Sequence, residues 1–108
     1  MNDRMYQELV SGILSVFKDD ITQIILYGSA ARGTNSSESD IDIAVFITKK
    51  MDDETEDKLS DIVVDMNLKY NKLFSVIDID DAFYKKWRKV TPFYQNVEKE
   101  GIVLWKAA

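Results

Sequence analysis

The 108-residue chain contains neither cysteine nor histidine. Without cysteine there is no disulfide, no thiolate chemistry and no structural zinc finger, which fits a reducing compartment; the cytoplasm is the default expectation. Without histidine the commonest general base is missing, along with the usual soft-metal ligand, so any metal must be a hard cation held by oxygen. No apolar run approaches the roughly 18 residues of a membrane span, and the N-terminus lacks the charged-then-apolar pattern of a signal peptide, so no membrane partner is expected. The net charge of −5 argues against tight, non-specific binding to naked nucleic acid, which needs a cationic surface. Linkers, internal repeats and low-complexity segments are also absent. What is present suffices for a core. Hydrophobic residues make up 45% of the chain, with two Trp, five Tyr and five Phe, so residues 1–108 read as one domain.

Met5, Leu9, Ile13 and Val16 with Phe17 recur at helical spacing, which predicts an amphipathic helix over residues 3–18. Ile21–Tyr27 is a short apolar run ended by Gly28 and reads as a buried strand. The polar residues 34–39 mark a loop, and a second strand follows over 41–48. Asp53 with Glu56 resembles a capping box ahead of a helix carrying Leu59, Ile62, Val63, Met66 and Tyr70. Residues 73–79 form a third strand, after which Asp80 or Asp81 caps a helix with Phe83 and Trp87. Thr91-Pro92 opens a last helix that Gly101 stops. The order α-β-β-α-β-α-α predicts an α/β (α+β) fold, a small mixed sheet with helices packed on it. The run "YKKWRK" at 84–89 reads as a solvated helix face with Trp87 in the core, and Trp105 as either core or a partner contact.

Chemistry concentrates in "LYGSAARGTNSSESDIDIAVF", residues 26–46. Residues i and i+2 of a strand project to one face with Cα atoms roughly 6.5–7 Å apart. Asp40 and Asp42 therefore point the same way, while Ile41 and Ile43 face the core. Two carboxylates this close repel unless a cation neutralises them, and magnesium, which brings phosphates and water as further ligands, fits that need. Just upstream, Gly28 lets a phosphate approach the backbone without a Cβ in the way, and Ser29 adds a hydroxyl donor beside the backbone N–H groups of the turn. Arg32 either forks onto phosphate or holds one of the aspartates, and Gly33 lets the chain leave the turn. A phosphate cradle beside a metal-holding carboxylate pair is what nucleotidyl transfer requires.

Gly28-Ser29-x-x-Arg32-Gly33 followed by Ser39-Asp40-x-Asp42 resembles the signature of the polymerase-β-like nucleotidyltransferase superfamily, and within it the minimal nucleotidyltransferase (MNT) domains. The resemblance implies that Asp40 and Asp42 are catalytic metal ligands for Mg²⁺, and that Gly28, Ser29, Arg32, Gly33 and Ser39 bind the nucleotide. It implies transfer of AMP, or another NMP, from ATP or another nucleoside triphosphate to a hydroxyl on a partner protein. It further implies that the partner is a HEPN-domain ribonuclease toxin and that this chain is its antitoxin. The family usually adds a third carboxylate from the strand beside the Asp40/Asp42 strand. Here that strand reads "LFSVIDID": if Ser75 holds the usual position the third carboxylate is missing, and Asp78 is the candidate for it. The alternative function is a catalytically weak or inactive binding module that neutralises its partner by steric masking.

Overall fold

The computed structural model describes residues 3–33 and 40–108. Its elements run α1 (Asp3–Phe17), β1 (Ile21–Tyr27), α2 (Gly28–Arg32), β2 (Ile41–Ile47), α3 (Asp53–Tyr70), β3 (Phe74–Asp80), α4 (Asp81–Trp87), α5 (Pro92–Glu100) and β4 (Ile102–Lys106). The four strands form one mixed sheet in the order β3-β2-β1-β4. β1 is antiparallel to both of its neighbours, and β2 runs parallel to β3 across the α3 crossover. Among the described residues no helix is long and apolar enough to cross a membrane.

α1 forms as its spacing dictates: Met5, Tyr6, Leu9, Ile13 and Phe17 are buried on one face. They meet Ile24 and Leu26 of β1 and Ile41, Ile43, Val45 and Ile47 of β2 in the larger core cluster, which Leu59 and Met66 of α3 complete. The opposite face of the sheet carries a second, smaller core. Ile25, Ala44, Phe46 and Ile79 lie there under Tyr84 of α4 and Val97 of α5. β2 is thus covered on both faces except at its head, where Asp42 interrupts the second face.

The structure corrects two local expectations and decides a third. The cap of α3 is Asp52, one residue earlier than the proposed capping box, its carboxylate accepting from the Thr55 N–H at 2.8 Å. Asp80 caps α4 by accepting from the Phe83 N–H, whereas Asp81 is no cap: it is buried, accepts from the Thr22 hydroxyl at 3.0 Å and pairs with Lys85. Trp87 is not a core residue; it is 40% exposed, with the Lys86 ammonium over its ring. The strand β4 went unforeseen because its five residues are half-buried or exposed at a sheet edge and carry no clean alternation. Trp105 belongs to it and packs against the larger core.

Gly101 joins α5 to β4 for reasons of space. Its backbone, φ −72° and ψ 151°, is one any residue adopts. A Cβ there would lie 2.2 Å from the Val97 carbonyl oxygen and 2.5 Å from a methyl of Ile25. Gly101→Ala is therefore expected to cost about 1–3 kcal/mol, as overpacking does, and to lower the melting temperature by several degrees in a thermal melt.

Candidate functional site

The sheet register assembles the site. Tyr27, the last residue of β1, lies opposite Asp42 in the antiparallel pair, so the turn that follows Tyr27 meets the head of β2. Gly28 opens that turn with φ +73°, a conformation glycine adopts without strain. There is a second reason for glycine: a Cβ at position 28 would stand 2.4 Å from Asp42 Oδ2. The backbone of residue 28 and the Asp42 carboxylate are in direct apposition. Ser29 follows in the first turn of α2, and Tyr27, in the N-cap position, offers that turn no side-chain acceptor. Gly33 ends α2 in the left-handed region, with open space where its Cβ would be. Ser39 lies outside the described residues.

Asp40 is exposed and directly precedes β2; Asp42, its second residue, is half-buried. Burial pushes the Asp42 carboxyl above the usual carboxylate range, the charge of Asp40 pushes it further, and Arg32 opposes both. The Tyr27 hydroxyl is likewise pushed up, by burial first and by the Asp42 charge second. These shifts describe a negative centre short of counter-charge. Arg32 does not close on it. Its guanidinium donates to Glu100 Oε2 of α5 at 2.9 Å, a half-exposed pair of the kind worth little.

The parallel register decides between Ser75 and Asp78. Asp42 pairs with Ser75, which therefore shares its face, whereas Asp78 pairs with Val45. Val45 belongs to the opposite face, packed in the larger core, and lies three residues further along β2. The structure thus does not bring Asp78 to the carboxylate pair, and a serine stands where the adjacent strand would offer a third ligand. No group of three or more metal-ligating side chains occurs among the described residues. Two carboxylates remain, one exposed and one half-buried, and this all-oxygen, uncompensated donor set fits a hard divalent cation whose other ligands come from substrate and water. Sequence reasoning missed Tyr27, although it directly precedes the glycine. It also missed Glu100, which sits 68 residues from Arg32 in the chain and so gave no local signal.

Residues 11–108 match the family described as "Polymerase beta, Nucleotidyltransferase". The chain is 33% identical over 106 residues to MJ0604 of Methanocaldococcus jannaschii, named by inference a protein adenylyltransferase, and the match covers 95% of this chain and 97% of that one. The fold is similar to a chain of a toxin–antitoxin complex crystallised with AMP-PNP, with TM-score 0.63 and 21% identity over 99% of this chain and 75% of that one. A chain from the complex of tri-AMPylated Shewanella oneidensis HEPN toxin with MNT antitoxin matches with TM-score 0.61 and 18% identity, over 99% of this chain and 74% of that one. The mixed sheet and its helices are the nucleotidyltransferase fold.

The two turn glycines give a paired test. Both have φ +73°, so Gly28→Ala and Gly33→Ala are each expected to lose about 1–2 kcal/mol from backbone strain. Only Gly28→Ala also displaces Asp42, so in a calorimetric titration with magnesium and a non-hydrolysable ATP analogue its loss of affinity is expected to exceed that of Gly33→Ala.

Asp42→Asn gives a second test. A carboxyl whose folded pKa is raised contributes stability in acid, below its unfolded pKa, and loses that contribution as pH rises through the folded value. At pH 7 without divalent metal, Asp42→Asn is therefore expected to melt at or above the wild-type temperature, and the gain should vanish in acid. A buried structural pair would instead be broken, with a marked drop in the melting temperature.

Proposed function

The chain belongs to the polymerase beta nucleotidyltransferase family, and we propose that it transfers AMP from ATP, with Mg²⁺, to a hydroxyl on a partner protein. The observation that carries this reading is the apposition of Gly28 and Asp42, which sets a glycine-serine turn against a carboxylate pair. In this reading Asp40 and Asp42 hold the ion, which when bound neutralises charge on the triphosphate. The backbone at Gly28 and the Ser29 hydroxyl receive phosphate oxygens, and Gly33 and Ser39 belong to the same cradle. Arg32 exchanges Glu100 for a phosphate, a small cost because the exposed pair is weak. The acceptor oxygen attacks the α-phosphorus, the bond to pyrophosphate breaks, and the acceptor hydroxyl's proton passes to solvent water as pyrophosphate leaves.

Support for AMP and a protein acceptor comes from the 33% identical relative with its adenylyltransferase name. Support for a HEPN toxin partner, with this chain as its antitoxin, comes from the fold similarity to MNT antitoxin complexes, one of which holds an AMPylated toxin. The cysteine-free composition accords with action in a reducing compartment such as the cytoplasm.

Ser75 beside Asp42 favours one second reading, a catalytically weak chain that neutralises its partner by masking it. One experiment separates the two. The chain is incubated with a HEPN-domain toxin and α-labelled ATP, with magnesium or with EDTA. The transferase reading expects label on the HEPN protein with magnesium, none with EDTA, and a loss of at least 100-fold in Asp42→Asn, since an amide brings no charge to a hard cation. Tight association without label supports masking and contradicts transfer.

A further inference from the structure

The second face of the sheet is only partly covered. α4 and α5 bury Ile25, Ala44, Phe46 and Ile79, while Tyr27 and Ile77, nearer the carboxylate end, stay half-buried. α5 borders that end at two points. Glu100 holds Arg32, and the ring of Phe93 stands edge-on to Tyr27, centroids 5.6 Å apart at 88°. Tyr27 shares its face with Asp42, its register partner. Tyr27 thus adjoins both, Asp42 across the strand register and Phe93 ring to ring. Phe93 is a large apolar ring left 41% exposed, whereas its neighbour Tyr94 is half-buried and packs edge-on against Tyr84 and Phe83. Exposed rings scattered singly need no explanation, but this one adjoins the residue that faces the metal-holding carboxylate.

We propose that Phe93 is the stacking ring for the nucleobase of the nucleotide whose phosphates lie at Gly28, Ser29 and the Asp40/Asp42 pair. The proposal deepens the nucleotidyltransferase reading and rests on it. In a nucleotide one sugar links the base to the phosphate; on the protein one residue, Tyr27, adjoins both Phe93 and Asp42. A phenylalanine ring offers no hydrogen bond, so it holds a base by stacking, which every base accepts and which a bare polyphosphate cannot use. The edge-on contact with Tyr27 fixes the Phe93 ring in advance, so little freedom is lost when a base arrives.

The test compares two ligands on three proteins. A non-hydrolysable ATP analogue and inorganic tripolyphosphate, each with magnesium, are titrated calorimetrically into wild type, Phe93→Leu and Phe93→Tyr. Phe93→Leu keeps apolar bulk at a partly exposed site, and its fold is checked by thermal melt. The expected result is a loss of about 5- to 150-fold for the ATP analogue in Phe93→Leu, unchanged affinity for tripolyphosphate, and near wild-type behaviour in Phe93→Tyr. Unchanged affinity for the ATP analogue in Phe93→Leu overturns the stacking role and leaves the nucleotidyltransferase reading standing. An equal loss for both ligands also overturns it, because the damage is then not to base recognition. Failure of the wild type to bind either ligand overturns the site reading together with the stacking role.

Discussion

Asp42 occupies the space where a side chain on residue 28 would be, and the rest of the site is arranged around that contact. A carboxylate oxygen 2.4 Å from an ideal Cβ position leaves room for glycine alone. The positive φ of Gly28 makes the same demand from the backbone. Both follow from one pairing, Tyr27 opposite Asp42, which fixes where β1 stops relative to where β2 starts. A shift of that register by one residue would turn Asp42 into the larger core and Ile43 onto the site. The buried run Ile41, Ile43, Val45 and Ile47 opposes such a slip, so core packing and site geometry are secured by the same strand.

The fold around this contact holds an unfavourable charge in place. Asp42 is half-buried beside Asp40, and Arg32, whose charge opposes theirs, is paired with Glu100. A stability-optimised surface would have paired the two aspartates. Uncompensated charge of this kind is characteristic of sites that receive their counter-charge from a ligand. The exposed Arg32–Glu100 pair fits the same picture, since a weak, solvent-screened contact keeps the guanidinium beside the turn without committing it.

Much of this was legible in the chain itself, and the failures have physical causes. The i, i+2 aspartates, the glycine-serine turn and the period of α1 are local patterns, and local patterns specify local geometry. Ser75 and Asp78 could not be separated by alternation alone, because alternation says which residues share a face and not which one aligns with Asp42. The parallel register, set by how α3 returns the chain, chose Ser75. Trp87 was misplaced because a large aromatic is usually buried, whereas here it ends a seven-residue helix and leans on Lys86. β4 is a short edge strand whose burial depends on α1 and β1, partners nearly a chain length away. Glu100 and Phe93 reach the site only through the packing of α5, which no nearby residue announces.

If Asp40 and Asp42 hold a divalent cation together with a triphosphate, the ion must bind the protein and the nucleotide at once. Manganese, a paramagnetic substitute for magnesium, makes that binding visible. Free Mn²⁺ is followed by its electron paramagnetic resonance signal while protein is added to a fixed mixture of the ion and a non-hydrolysable ATP analogue. Wild-type protein is expected to deplete the free-ion signal beyond what the nucleotide achieves alone, and the Asp42→Asn variant, folded and equally concentrated, is not. Equal depletion by the two proteins, or none by the wild type, would contradict it.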